Sequence, residues 1–198
     1  MPEVLAVSGS PSASSRTAAA AQYALNLLKV RGFTVSHIAV RDLPAASLLA
    51  ARAGSPDIHH TLTKIDGADG IIVATPIYKA SYTGLLKLLL DLLPQDGLSG
   101  KTVLPLATGG TIAHLLALDY ALRPVLAALN AGHVTAGTFL LDSTFSLDDS
   151  GISPTLKPDA RVRVREAVAR FTIALPQPGK ASYPSALSGD QLTDVARV

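Results

Sequence analysis

The segment SGSPSASSRT, Ser8 to Thr17, follows an apolar run, Glu3-Val4-Leu5-Ala6-Val7, and precedes a helical pattern from Arg16 to Arg31. The run suits the first buried strand of a parallel sheet, and Gly9 permits a tight turn at its exit. In the helical pattern the apolar positions are Tyr23, Leu27, Leu28 and Val30. A strand, a small-residue loop and a helix N-terminus in that order make an anion site, because successive backbone N–H groups converge on the loop. The helix end is worth about 0.3–1 kcal/mol to an anion, whereas a hydrogen bond to a charged group contributes about 1.5–3 kcal/mol. The Ser hydroxyls and the planar fork of Arg16 therefore dominate. Neither G-x-G-x-x-G nor G-x-x-x-x-G-K-[ST] occurs in the loop, which argues for a terminal phosphate, as on a mononucleotide, over a dinucleotide pyrophosphate.

Composition narrows the class. The 198 residues are 48% hydrophobic and 16% charged, which indicates a globular chain with a full core. We read residues 1–175 as one domain and 176–198, dominated by Pro, Gly, Ser and Ala, as a loose C-terminal tail. The net charge of +2 comes from scattered Lys and Arg, so no nucleic-acid surface is expected. The absence of Cys excludes a thiolate nucleophile, a disulfide framework and a Cys-ligated cluster. Met1-Pro2-Glu3 does not read as a signal peptide, and the apolar run Leu85 to Leu93, broken by Lys87 and Asp91, is too short for a membrane span. A cytoplasmic location is expected.

Further along, Phe33 to Ile38 reads as a second strand and Pro56 to Asp66 as a short helix after a loop-rich stretch. Gly70 to Ala74 is a continuous apolar run, the pattern of a strand buried on both faces. It leads through Thr75–Gly84 into a helix from Thr83 to Leu93, whose Leu stripe is wider than one sheet face needs and suggests a subunit contact. A fourth strand, Thr102 to Ala107, leads into Thr108-Gly109-Gly110-Thr111 and a long helical pattern from Ala113 to Leu129, in which Pro124 implies a kink. Val134 to Leu141 is a fifth strand broken by Gly137, Ser143 to Lys157 a polar loop, and Pro158 to Leu175 a basic helix. Five strands alternating with helices predict an α/β fold, an open parallel five-stranded sheet covered on both faces. In such sheets ligands bind beyond the carboxyl ends of the strands, where Ser8–Thr17, Thr75–Thr83 and Thr108–Thr111 fall. Phosphate donors at one end and a glycine-lined slot with Tyr78 at the other suit FMN.

SGSPSASSRT, ATPIYKASYTGLLKLLLDLLP and LPLATGGTIAHLLALDYALRPVL together resemble the NADPH-dependent FMN reductase family, most of all its alkanesulfonate- and methanesulfonate-assimilation branch. The likeness runs from about Val4 to Leu141. It implies a flavodoxin-like fold, with FMN and NADPH (or NADH) as cofactors. By position it implies that Ser10, Ser15, Arg16 and Thr17 hold the FMN phosphate. It further implies that Pro76, Ile77, Tyr78 and Lys79 form the isoalloxazine loop, with Thr108, Gly109, Gly110 and Thr111 across the ring. Tyr120 is implied in a π-helical bulge at a subunit interface of a homodimer or homotetramer. Ser12 departs from the pattern, where the resemblance implies a basic residue, so the loop leans more on Arg16. The implied reaction is hydride transfer from NADPH to flavin N5, with no acid–base pair and no catalytic side chain. Reduced FMN then passes to a flavin-dependent sulfonate monooxygenase.

Other candidates weigh less. His59-His60 cannot share a helix face, His114 suits a capping or packing role as well as a pocket, and no spacing suggests a metal. Gly97 to Thr102 ends like a phosphate loop, but Gln95 stands where its first Gly belongs and the segment precedes a strand. Rival functions are an FMN-containing quinone or azo reductase, a flavodoxin-type electron carrier, and a non-catalytic flavin-binding regulatory subunit.

Overall fold

In the computed structural model residues 2–175 are described, and the tail expected from Pro176 onward lies outside them. β1 (Glu3–Ser8) is flanked by β2 (Thr34–Ala39) and β3 (Gly70–Pro76), and β3 by β4 (Thr102–Gly109). The fifth position is shared by two short pieces, β5 (His133–Val134) and β6 (Thr138–Leu141), each paired in parallel with β4. The order β2-β1-β3-β4-β5 is the flavodoxin-like doubly wound arrangement, with its switch point between β1 and β3.

Both faces of the sheet are covered, which is why its central strands carry apolar residues without alternation. On one face Leu5, Val7, Ile71, Val73 and Val103 pack with α3 (Pro56–Gly67) and α4 (Gly84–Leu90) through Ile58, Leu62, Leu86 and Leu89. On the other, Val4, Ala6, Ile72, Ala74 and Leu104 meet α1 (Arg16–Val30) and the long helix Pro158–Ala174. The face that α1 buries is made largely of Ala20, Ala21, Ala24, Leu25 and Leu28, while Val30 is 89% exposed. Alanines opposite Ala6 and Ala74 let α1 lie close to the sheet, and that closeness places its N-terminus over the strand ends. Tyr23 and Leu27 pack only at the margin of this face.

The leucine stripe after Thr83 also reads differently in three dimensions. Leu86, Leu89, Leu90, Leu92 and Leu93 are buried in the chain's own core, and Leu85 and Leu88 pack against it. The excess width is used by the short elements after β2, a 3₁₀ turn at Val40–Asp42 and α2 (Ala45–Leu49). Exposed apolar side chains lie instead at Ile112, Leu115, Leu116 and Tyr120. The long helix expected there is broken into a 3₁₀ turn at Ile112–His114, a π-helical turn at Leu118–Leu122 and α5 (Arg123–Ala128). Pro124 follows directly on the π-helical turn, where a backbone that runs on helically from Leu118 meets a residue with no N–H to donate. Arg123 ties this region to the break in the fifth strand, donating from Nη1 to Val134 O (3.1 Å) and from Nη2 to Thr135 O (3.2 Å). The stretch expected as polar loop contains a hairpin, β7 (Phe145–Leu147) with β8 (Pro154–Leu156), before α6 (Pro158–Ala174). Its turn is closed by Asp148, whose carboxylate accepts from Ser150 Oγ, Ile152 N and Ser153 N. Those hydrogen bonds hold its pKa at about 2.

The exit of β1 is the tightest point. A Cβ on Gly9 would stand 2.5 Å from Leu86 Cβ and 3.2 Å from Leu86 Cα, so helix backbone rather than a movable side chain blocks it. Gly9→Ala is expected to lower stability by about 1–3 kcal/mol, read as a lower urea midpoint with an unchanged slope.

One strand away, His37 Nε2 lies 2.9 Å from Ser8 Oγ. Burial, then the Arg41 charge, lowers the His37 pKa below its ordinary 6.5, with Asp42 opposing. The unfolded chain therefore takes up this proton first as pH falls. The stabilisation from neutral His37 is complete above 6.5 and is lost as pH drops from there through the folded value. Urea unfolding at about pH 7 and about pH 5 should show a smaller loss for His37→Gln than for the native chain.

Candidate functional site

The parallel register brings the strand ends to one edge, pairing Ser8 with Ala74 and Pro76 with Thr108. Hydrogen bonds then join the three special loops into one floor. Gly9 N donates to Ala74 O (2.8 Å), and Thr83 Oγ1 donates to Gly9 O (2.6 Å). Ile77 N donates to Thr108 O (2.8 Å), and the hydroxyls of Thr17 and Thr108 lie 2.6 Å apart, both buried. Thr83 also caps α4 by accepting from Leu86 N, while its own N–H donates to Thr75 Oγ1.

In the first loop Ser15 is the N-cap of α1, its Oγ accepting from Ala18 N at 3.0 Å. Ser10 is buried and its Oγ accepts from Ser12 N. The N–H groups of Ser14, Arg16 and Thr17 have no hydrogen-bond partner among the described residues. The Arg16 side chain is 52% exposed, with Nη1 3.7 Å from Asp142 Oδ2, beyond hydrogen-bond distance. Two groups outside the loop hold its crest: Arg41 Nη1 donates to Ser12 O (2.7 Å), and Ser14 Oγ donates to Ile152 O (2.8 Å).

The second loop turns back on itself. Tyr78 and Ser81 exchange hydrogen bonds, Tyr78 N to Ser81 O (2.9 Å) and Ser81 N to Tyr78 O (3.1 Å). Between them Lys79 and Ala80 have φ of 51° and 63°. Positive φ at both central positions marks the mirror-image turn that usually takes Asn or Gly, so this turn is strained. Tyr120 Oη, from the π-helical turn, donates to Ala80 O at 3.3 Å. Pro76 and Ile77 are buried beneath, while Tyr78 (54% exposed) and Lys79 face outward.

In the third loop the two glycines differ. A Cβ on Gly109 would come within 2.8 Å of Phe139 Cζ, so its small size serves internal packing. Gly110 is open, with only Asp142 Oδ2 at 3.7 Å, and it keeps the surface beside Arg16 flat. Thr111 is exposed and caps the Ile112–His114 turn by accepting from Ala113 N.

These residues fit a phosphate-bearing flat ligand. The free N–H groups, the Ser15 hydroxyl and the Arg16 guanidinium supply donors for an anion, and open backbone at Gly110 with exposed Tyr78 supplies a flat approach for a ring. Reading the sequence alone misses Arg41, Asp142 and Ile152, which reach the site only through long-range folding. Thr83 carries a local signal, a Thr directly before an apolar helical run. His59 and His60 are exposed on α3, and His114 is half-buried in its 3₁₀ turn. Lys101 donates to Asp66 O and Ala68 O, closing the C-terminal end of α3 at the opposite edge of the sheet. Among the described residues no group of His, Cys, Asp or Glu is placed to hold a metal, and no helix is long and apolar enough to cross a membrane.

The family model for NADPH-dependent FMN reductase matches residues 2–146. An FMN reductase (NADPH) of Escherichia coli is 45% identical over 172 residues, which cover 87% of this chain and 89% of the relative. An FMN reductase (NADPH) of Pseudomonas putida is 42% identical over 185 residues, covering 93% and 94%. Among solved structures, the apo form of the NADH:FMN oxidoreductase EMOB superposes with a TM-score of 0.81 at 42% identity, covering 90% of this chain and 92% of that one. With matches of this extent running through all three loops, the chain belongs to the NADPH-dependent FMN reductase family.

Proposed function

We propose that this NAD(P)H-dependent FMN reductase works in the cytoplasm and releases reduced FMN to a two-component monooxygenase that cleaves carbon–sulfur bonds in sulfonates. Bound FMN supplies the hydride-accepting ring, and the chain binds, orients and shields it. Ser10, Ser15, Arg16 and Thr17 take the phosphate. Pro76, Ile77, Tyr78 and Lys79 border the ring on one side, with Thr108, Gly109, Gly110 and Thr111 on the other. The observation that carries the release is the openness of the ring side, where Tyr78, Gly110 and Thr111 are all exposed. An exchangeable flavin needs such an exit. The sulfonate assignment rests on the motif resemblance, and the open ring side is compatible with either pyridine nucleotide.

We further propose a homodimer or homotetramer. The exposed Ile112, Leu115, Leu116 and Tyr120 form an apolar ridge beside the site, and the π-helical turn presents Tyr120 on it. Burying such a ridge favours association by about 25 cal/mol per Å². Light scattering at micromolar concentration should find an oligomer, and a monomer would remove this part of the proposal.

The function is tested by desalting the protein and following NADPH oxidation against added FMN. A colourless protein whose rate saturates with free FMN is expected. A yellow protein indifferent to added FMN and accelerated by quinones would make it a quinone reductase with a fixed flavin. Absence of steady NADPH oxidation would point to an electron carrier. At the phosphate, Arg16→Ala should weaken FMN binding by about 1.5–3 kcal/mol, tenfold or more, with riboflavin affinity nearly unchanged. Equal losses for both flavins would remove Arg16 from the phosphate site.

A further inference from the structure

Arg41 belongs to none of the three special loops. It lies in the 3₁₀ turn after β2, at the same edge of the sheet as Ser8, and reaches across to the crest of the first loop. There its Nη1 donates to Ser12 O at 2.7 Å, while Nε lies 3.4 Å from Oδ1 of the exposed Asp42. Nη2 has no partner among the described residues. The side chain is only 25% exposed, half the exposure of Arg16. Its influence extends inward as well, since its charge contributes to the lowered pKa of His37.

The two arginines are thus arranged differently. Arg16 is loosely held, facing an Asp142 carboxylate that it does not hydrogen-bond and that competes for it. Arg41 is anchored, so little side-chain entropy remains to be lost when an anion arrives. A phosphate monoester carries about −1.5 to −2 charges at neutral pH, more than one half-exposed guanidinium balances. We infer that Arg41 is a second phosphate-recognising guanidinium, pinned to the Ser12 carbonyl so that its charge and its free Nη2 edge serve the Ser8–Thr17 loop. This rests on the reading that this loop takes the FMN phosphate. Arg41 therefore sets selectivity for phosphorylated over unphosphorylated flavin.

The test is FMN and riboflavin affinity, by fluorescence titration of the full chain, for the native protein and for Arg41→Gln, Arg41→Lys, Arg41→Ala and Arg16→Ala. Glutamine removes the charge and is too short to reach Ser12 O, whereas lysine keeps the charge without the guanidinium fork, so the two together separate recognition of the anion from bracing of the loop. Arg41→Gln and Arg41→Ala should each lose about tenfold in FMN affinity. Arg41→Lys should retain most of it. Riboflavin affinity, unchanged throughout, reports that each variant is folded, and the salt dependence of FMN binding should be shallower for Arg41→Gln than for the native chain. Native-like FMN affinity in Arg41→Gln, alongside a loss in Arg16→Ala, would overturn the role of Arg41 and leave the phosphate site standing. Equal affinity of the native chain for FMN and riboflavin, with no effect of Arg16→Ala, would overturn the phosphate reading itself.

Discussion

The site depends on how closely the chain passes the N-terminus of α4 as it leaves β1. Gly9 makes that passage possible: its N–H is bound to Ala74 O, its carbonyl to the Thr83 hydroxyl, and no atom larger than hydrogen fits between its Cα and Leu86. The first loop is thereby fixed to β3 and to α4 at once. The alanine face of α1 does the corresponding work on the other side of the sheet, letting the helix settle against Ala6 and Ala74. A bulkier helix face would lift the Arg16 end away from the strand ends. Small residues in the core thus determine the geometry of polar residues at the surface.

Once the loops are brought together, their stiffness is uneven. The buried floor is cross-linked by short hydrogen bonds, among them the Thr17–Thr108 hydroxyl pair and Ile77 N to Thr108 O. The outward parts of the third loop, Gly110 and Thr111, carry few such restraints and remain exposed. Between these extremes lies the Tyr78–Ser81 turn, with non-glycine residues at positive φ held by mutual backbone bonds and by Tyr120. Strain of this kind persists only where the surroundings over-determine the conformation. A rigid, buried floor beside an exposed rim is what the proposed exchange of flavin requires.

Much of this arrangement is legible in the sequence because its signals are local. The apolar runs of β1, β3 and β4 bear no alternation, and each ends in a loop of unusual composition. Even the break in the fifth strand is marked, by Gly137, whose absent side chain leaves room for Leu118 of the π-helical turn. What escapes is of two kinds. Apolar periodicity undervalues alanine, so the apolar positions Tyr23, Leu27, Leu28 and Val30 do not outline the buried face of α1, of which only Leu28 among them is part. It also cannot say which body a leucine stripe packs against, and most of the stripe of α4 packs within its own chain. The second kind is long-range. The β7–β8 hairpin has strands too short for periodicity, and Arg41, Asp142 and Ile152 acquire their roles only when distant segments meet.

The divided fifth strand bears on colloidal behaviour. It occupies an outer position of the sheet, where a long, regular strand would present a row of vacant donors and acceptors to any other chain. Here the row is interrupted between Val134 and Thr138, and the guanidinium of Arg123 occupies the carbonyls of Val134 and Thr135 at the gap. Along this edge no unbroken run longer than the four residues of β6 is left for a foreign strand to extend. The feature that ties the π-helical turn to the sheet thus also blunts one of the sheet's two outer edges, the other being β2.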